Sequence, residues 1–366
     1  MKKLFFSLLA VAAMASCSKS ELSERPVVRP EAGDVEILAK SNAKGITTRT
    51  PFENPISADN KLLAQVFVSL TSNDYSTLWN TEDDQIEFTN STDSIGFKTT
   101  ACYYPADGST VYLCGFYPAT GWDKVIAGTT LTHQTYTIDG KTDVMTAKEV
   151  SGDKTKAQDK NEASPALTFE HLLTQLVVKV QAADSAAYKA WGKITDMYLT
   201  NAAGHNPNDG GKGIKPLVRV VPGTGATDYR TKDDAYLTTL ACYGIIDGDS
   251  TTNVVFGKDE TDAAAPVALP VPADETEEAV AVAYTLVTPV TANEKHYTLV
   301  IKTENHKDPK SIDVTLETKD ATPVAFTDST VGYAFDIELT FNATEIMPKA
   351  SVADWKEGGV TVLPVQ

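Results

Sequence analysis

The stretch Ala334-Phe335-Asp336-Ile337-Glu338-Leu339 alternates apolar and acidic side chains over most of its length. Successive side chains of an extended chain point to opposite faces, so this pattern predicts a β-strand with one buried face. Similar β-prone runs recur along the chain, between turn signals such as Asp107-Gly108 and Asp139-Gly140. They lie at residues 65–70, 110–117, 176–180, 297–301 and 312–316. The sequence therefore predicts an all-β protein.

Helical patterns are scarce by comparison. The best candidate is the short, Ala-rich piece from Asp184 to Trp191. Many short strands without alternating helices indicate antiparallel sheets packed as sandwiches. From the spacing of the strands we predict a domain boundary near residue 185, with an N-terminal domain at 50–185 and a C-terminal domain at 186–366. Residues 254–282, rich in Ala, Pro and acidic side chains, are predicted to form a loop excursion of the second domain.

The first residues have the pattern of an export signal. Lys2 and Lys3 precede an apolar run from Leu4 to Ala15, which is too short to span a bilayer as a helix of about 20 residues. Small residues just before Cys17 favour a lipoprotein signal over residues 1–17, with Cys17 acylated. An ordinary signal peptide with an incidental cysteine is the alternative. Residues 18–49 are polar and are interpreted as a tether, in which residues 35–39 form the only strand-like run.

Composition and motifs argue against several classes of function. A net charge of −17 is unfavourable for binding nucleic acid or anionic lipid headgroups. The five His residues are scattered, and the sequence contains no HExxH, GxSxG, P-loop or GxGxxG motif. Acidic clusters lack the spacing of a calcium loop. We therefore predict neither an enzyme nor a cofactor or metal site.

Three further residues invite a functional interpretation. Cys102 and Cys114 flank the turn at Asp107-Gly108, which leaves a disulfide across a hairpin and two buried free thiols both open. His171 lies between Phe169 and Leu172 and is predicted to be a packed, hydrogen-bonded residue rather than a ligand.

Four stretches, taken in order with Cys17, resemble a known family. They are Thr47-Thr48-Arg49-Thr50-Pro51-Phe52, the aromatic strand from Val111 to Pro118, the L-x-F-x-H motif and apolar strand from Leu167 to Val180, and the pair formed by Gly332-Tyr333-Ala334-Phe335 and residues 352–358. The sequence is similar along nearly its whole length to the fimbrillins, the FimA/Mfa-like major fimbrial subunits of Bacteroidales.

This resemblance implies a fold, a route of export and a mode of assembly. Fimbrillins have two transthyretin-like antiparallel β-sandwich domains in tandem. They reach the outer membrane as lipoproteins, and an Arg-specific protease then removes the N-terminal segment with its first strand. A strand from the C-terminus of another subunit fills the resulting groove, and the extracellular fimbria serves adhesion and biofilm formation. The implied partners are further copies of the chain, related fimbrial subunits, and receptors on host or bacterial surfaces.

The processing site expected from the resemblance is the bond between Arg49 and Thr50. Arg25 and Arg29 are each followed by Pro, which usually blocks such cleavage, whereas Arg49 lies in an accessible, Thr-rich stretch. The strand lost with the tether would be residues 35–39.

The donor strand expected from the resemblance is residues 360–365, with Val360, Val362, Leu363 and Val365 as its apolar side chains. Which face points inward is open, because Val360 and Val362 lie on one side and Leu363 and Val365 on the other. A strand that pairs within its own domain is the alternative. The alternatives for the whole protein are a tip or anchor adhesin of the same family and a glycan-binding surface lipoprotein.

Overall fold

Strands dominate the computed structural model of the chain. The structure describes residues 35–43, 61–81, 84–89, 94–158, 164–201, 213–244, 266–272, 278–290, 297–314, 316 and 329–353. All of them belong to one compact unit that begins at Val35. Among these residues, no helix is long and apolar enough to cross a bilayer.

The secondary-structure elements are, in chain order, β1 (Lys40–Ala43), β2 (Leu62–Ser69), β3 (Gln85–Phe88), β4 (Val111–Tyr117), β5 (Trp122–Ala127), β6 (Thr130–Thr137), β7 (Met145–Gly152), α1 (Lys154–Gln158), β8 (Ala166–His171), β9 (Thr174–Ala182), α2 (Ser185–Trp191), β10 (Ile194–Asn201), β11 (Leu217–Val220), β12 (Thr227–Arg230), β13 (Thr239–Ala241), β14 (Tyr243–Gly244), β15 (Val280–Val287), β16 (Tyr297–Thr303), β17 (Lys310–Val314), β18 (Ala334–Phe341) and β19 (Ile346–Ala353). The predicted strands at 65–70, 110–117, 176–180, 297–301 and 334–339 correspond to β2, β4, β9, β16 and β18. The predicted helix is α2, whose first turn is capped by the Asp184 side chain accepting from the Ala187 N–H at 2.7 Å.

The described strands form four sheets. The first has the order β1-β8-β7-β4-β2-β3 and the second β12-β11-β6-β5. The third has the order β14-β15-β9-β18-β19 and the fourth β13-β10-β16-β17. The ladders between these strands are antiparallel, as predicted, except that β1 runs parallel to β8 and β9 runs parallel to β18. The members of each parallel pair are far apart in sequence, so the connecting chain is long enough to return to the same end of the sheet.

Two β-sandwiches result from these sheets. In the first, the six-stranded sheet is buried on both faces. Val66 and Val68 of β2 face one apolar core, and Phe67 faces the other, next to the second sheet. This double burial explains why β2 is apolar almost throughout instead of alternating. In the second sandwich, Val178 of β9 and Ile301 of β16 belong to the core between the third and fourth sheets.

Strand pairing crosses the predicted domain boundary near residue 185 in both directions. β9 precedes that position and pairs with β15 and β18, whereas β11 and β12 follow it and join β6 in the first sandwich. The two sandwiches are linked at β8 and β9, which only Leu172 and Leu173 separate. The division at residues 185 and 186 itself stays a prediction.

Candidate functional site

The first described segment of the chain, residues 35–43, lies along the edge of the six-stranded sheet, and we call it the edge segment. Ile37, Ala39 and Ser41 are completely buried, whereas the intervening side chains are only half-buried. This period of two is that of a strand with one face on the core. The edge segment is therefore an integral part of the first sandwich, although only residues 40–43 form a continuous ladder.

One side of the edge segment bonds to residues 95–104, which we call the covering loop. The Ile37 N–H donates to the Cys102 carbonyl at 2.7 Å, and the Tyr104 N–H donates to the Val35 carbonyl at 3.0 Å. Ala39 and Ile95 exchange both of their backbone bonds, at 3.0 and 2.9 Å. The inward-facing residues 37 and 39 thus direct their backbone groups to the covering loop.

The other side of the edge segment bonds to β8. The Lys40 N–H donates to the Pro165 carbonyl at 2.9 Å, and the parallel ladder then pairs Lys40 with Ala166 through to Ala43 with Phe169. Residues 35–39 thus bond to the covering loop and residues 40–43 to β8, so that the edge segment connects the two. Without it, β8 and the covering loop would face each other across an open groove.

Side-chain packing matches the groove to its occupant. Ile37 and Ala39 join one apolar cluster with Val66, Tyr104 and Phe169. On the outward side, Gly96 allows a close approach, because a Cβ atom at this position would overlap Oε1 of Glu36 and lie 3.3 Å from Cδ2 of Leu38. Nothing in the sequence pattern alone pointed to Gly96 as a contact of this segment.

Cys102 lies directly opposite Ile37, and both side chains belong to the same apolar cluster. Burial, together with the nearby acidic Asp84, raises the pKa of the Cys102 thiol to about 12. Cys102 and Cys114 are both free and buried, which decides between the two alternatives left open by the sequence. They face different apolar clusters and so are not partners in a disulfide.

His171, at the end of β8, has the structural role predicted from the sequence. Its Nδ1 atom lies 2.6 Å from Oδ2 of Asp143, and both side chains are buried. One residue further on, the Leu172 N–H donates to the Val144 carbonyl at 2.8 Å. The pair thus fixes the strand that borders the groove just before it enters the second sandwich.

Several predicted site residues lie outside the described residues. They are the acylation site Cys17, the processing site Arg49 and Thr50, and the donor-strand residues Val360, Val362, Leu363 and Val365. Within the described ranges, no three His, Cys, Asp or Glu side chains are grouped so as to hold a metal ion.

Comparison with known proteins places the chain in a family. Residues 48–355 match the model of the fimbrillin-like family. A candidate cell adhesion protein from Bacteroides uniformis is 14% identical, with a TM-score of 0.53 over 89% of this chain and 100% of that chain. A fimbrial protein from Bacteroides vulgatus is 13% identical, with a TM-score of 0.45 over 88% of this chain and 99% of its own. The fimbrial anchor protein Mfa2 from Porphyromonas gingivalis is 11% identical, with a TM-score of 0.33 over 84% of this chain and 90% of its own. No curated protein matches the chain.

The family model spans most of the sequence, including β2 to β19. The structural likeness to the Bacteroides uniformis protein supports the same fold. The resemblance seen in the sequence motifs is therefore confirmed. The chain belongs to the fimbrillin-like family.

Proposed function

We propose that this chain is a structural subunit of a bacterial surface fimbria that polymerises by exchanging a strand between copies. It is exported as a lipoprotein acylated at Cys17, cleaved after Arg49, and joined to its neighbours through residues 360–365. The fimbria serves adhesion and biofilm formation, with receptors on host or bacterial surfaces as its targets.

The observation that carries the proposal is the position of the edge segment relative to Arg49. Residues 35–43 fill a groove between β8 and the covering loop, with Ile37, Ala39 and Ser41 fully buried. Arg49 follows them in the sequence and precedes β2. A cut after Arg49 therefore separates one strand of the first sandwich from the chain that it completes.

Loss of that strand is costly in water, and the cost supplies the driving force for assembly. Burial of an Ile side chain contributes about 1.5–3 kcal/mol, which would be lost for Ile37. The carbonyls of Cys102, Ile95 and Pro165 would also lose their N–H donors. An open sheet edge with an apolar cleft is a template for pairing with another chain.

Residues 360–365 have the properties of the replacement strand. They are β-prone, follow the glycines 358 and 359, and span about 20 Å when extended. Addition of a strand to an open edge is a general mode of recognition, in which backbone bonds give affinity and alternate side chains give specificity. This extension and the Arg49 site favour a stalk subunit over a tip or an anchor, since an anchor would keep its lipid.

The test uses the chain from Ser18 onward, treated with an Arg-specific protease. We expect ladders of oligomers on a gel run without boiling, and new N-termini at Thr50. The Arg49→Ala variant should remain monomeric under the same treatment.

A second variant that ends at Gly359 separates cleavage from strand donation. It should be cut after Arg49 but form no ladder. Equal polymerisation of this truncated chain would rule out residues 360–365 as the donor, and ladders from uncut Arg49→Ala would rule out cleavage as the trigger.

A further inference from the structure

We propose that Asp228 protects the processed chain from the protease that activates it, by holding the two arginines that follow Arg49 in the sequence. This inference rests on the proposed function, because it takes an Arg-specific protease as the processing enzyme. The residues that carry it are Arg219 of β11 and Asp228 and Arg230 of β12.

Arginine is scarce in the part of the chain that follows the proposed cut. Residues 50–366 contain 22 lysines but only two arginines. Arginine and lysine are not interchangeable in a pocket that binds a planar guanidinium, so an enzyme specific for arginine would find only two sites here. Confinement of cleavage to Arg49 therefore depends on how these two arginines are held.

Arg219 is protected by its place in the sheet. β11 lies between β6 and β12, so Arg219 is paired with Thr135 on one side and with Asp228 on the other. An interior strand presents its backbone groups to its neighbours on both sides, where a protease cannot bind them. The bond after Arg219 is thus shielded by the ladders themselves.

Arg230 is the vulnerable position. It is exposed at the end of β12, which lies at one edge of the second sheet, and the residue after it is Thr231 rather than proline. An edge strand presents unpaired N–H and C=O groups with which another chain can pair. The backbone gives this bond little protection, so protection has to come from the side chain.

One carboxylate holds both guanidinium groups. Arg219 donates through Nε and Nη2 to Oδ1 and Oδ2 of Asp228 at 2.8 and 2.6 Å. Arg230 donates through the same two atoms to Oδ2 of Asp228 at 3.0 and 2.8 Å. Burial raises the pKa of the Asp228 carboxyl, but the hydrogen bonds from the two arginines outweigh it and leave the pKa below its ordinary value. The carboxylate is therefore ionised at neutral pH, where such charge-assisted bonds are strong.

This contact occupies the group that the protease has to bind. A protease recognises the side chain before the scissile bond in a pocket that sets its specificity. Arg230 can enter such a pocket only after it leaves Asp228. On the inner face of β12, the Tyr229 hydroxyl donates to the Leu172 carbonyl at 2.6 Å and holds the strand against the sandwich. Release of the guanidinium and lifting of β12 are thus both needed before the bond to Thr231 can be cut.

The experiment compares Asp228→Asn with Asp336→Asn in the chain from Ser18 onward, treated with an Arg-specific protease. Asp336 is the matched control, because it pairs at 2.6 Å with a lysine, Lys179, in another sheet. We expect new N-termini at Thr231 in Asp228→Asn, formed about fivefold faster than in the unsubstituted chain, as loss of a surface ion pair allows. Asp336→Asn should show no change.

The double variant Asp228→Asn/Arg230→Lys locates the cut. It should stay intact beyond Arg49, because an Arg-specific protease rejects lysine. Cleavage that persists in this double variant would move the site to Arg219 and overturn the assignment of Arg230 as the vulnerable position.

Digestion with a Lys-specific protease tests whether the substitution merely unfolds the chain. Cleavage after Lys148 of β7 and Lys302 of β16 should proceed at the same rate in Asp228→Asn and in the unsubstituted chain. Acceleration at these lysines as well would attribute the effect to loss of the fold and overturn the protective role of Asp228.

A new arginine in another sheet tests whether an edge position alone excludes the protease. Lys310 is exposed at the first position of β17, which is also an edge strand, and it has no ion-pair partner in the described part of the chain. We expect Lys310→Arg to be cut after position 310 under conditions in which Arg230 resists. Resistance at position 310 too would overturn the proposal, because the fold would then protect an arginine without a carboxylate partner.

The outcomes separate this proposal from the function on which it rests. A chain left uncut after Arg49 in every variant would overturn the proposed processing. Normal cleavage after Arg49, with Arg230 equally resistant in Asp228→Asn and in the unsubstituted chain, would overturn the protective role of Asp228 alone. Rapid cleavage after Arg230 in the unsubstituted chain would do the same.

Discussion

The backbone N–H of Ile37 donates to the carbonyl of Cys102 at 2.7 Å, and the two side chains share one apolar cluster. The thiol of Cys102 is therefore covered by the strand that we propose to be removed. Because burial raises its pKa to about 12, almost none of it is thiolate near pH 8. The state of the groove should be readable from this one side chain.

We expect alkylation of Cys102 to accelerate at least tenfold when the edge segment is cut and displaced. Hydration of the thiol lowers its pKa toward the ordinary value, so the thiolate fraction at pH 8 increases. Peptide mapping by mass spectrometry after a timed pulse of iodoacetamide measures the rate. Cys114, fully buried in the other cluster, is the internal control and should stay slow. Equal acceleration of both thiols would indicate general unfolding instead.

Gly96→Ala should disturb the edge segment only slightly. The added methyl group overlaps the Glu36 carboxylate, which is the end of a flexible side chain and can rotate away, and it lies 3.3 Å from Cδ2 of Leu38. We expect slightly faster hydrogen exchange at the amides of Ile37 and Ala39 and no change in the ladder between β2 and β4. In the double variant with Glu36→Ala, the overlap is gone, and protection should return. A large loss of protection in Gly96→Ala would contradict the expectation that Glu36 can rotate away.

Removal of the carboxylate of Asp143 should lower the free energy of unfolding by about 1–3 kcal/mol, because it takes a hydrogen-bond partner from the buried ring of His171. Urea denaturation of Asp143→Ala measures the loss. The double variant Asp143→Ala/His171→Leu no longer buries an imidazole ring, and it should recover part of the lost free energy of unfolding. If the loss of unfolding free energy in the double variant equals the sum of the losses in Asp143→Ala and His171→Leu, the two side chains are not coupled.

Gln134 of β6 is completely buried, and neither atom of its side-chain amide has a hydrogen-bond partner in the described part of the chain. A buried amide without partners costs about 1–3 kcal/mol, so Gln134→Met should raise the free energy of unfolding. Thermal denaturation provides the measurement.

Asn80 is the matched contrast to Gln134. Its side chain accepts from the Val68 N–H at 2.9 Å and donates to the Val66 carbonyl at 2.8 Å, in the manner of a neighbouring strand. Asn80→Leu should therefore destabilise by a similar amount. A gain in stability for both variants, or a loss for both, would refute this distinction between the two amides.

Local patterns were sufficient to predict the central strands. β9, β16 and β18 carry runs of β-branched and aromatic side chains with apolar or alternating patterns, and these preferences act within a few residues. β17 was predicted at 312–316 but spans Lys310–Val314, because the position of strand ends depends on the partner. The hairpin of β5 and β6 was not singled out, since most of β5 is exposed and its pattern is weak.

Contacts between distant parts of the chain could not be predicted from such patterns. The strand-like run at 35–39 was recognised, but its pairing with Ile95 and residues 102–104 depends on tertiary packing. The parallel register of β9 with β18 has the same origin. Gly96 and Cys102 had no signal in the sequence that would assign them to the groove, because their significance comes only from what lies opposite.

The two-residue connection between β8 and β9 has a mechanical consequence. In the fibre that we propose, a strand in the groove would pair with β8 as β1 does, and tension on it would pass through Leu172 and Leu173 into β9. β9 is held on both sides, by β15 and by β18, over nearly its whole length. A load that reaches β9 would therefore meet a strand anchored by two ladders of hydrogen bonds rather than by one.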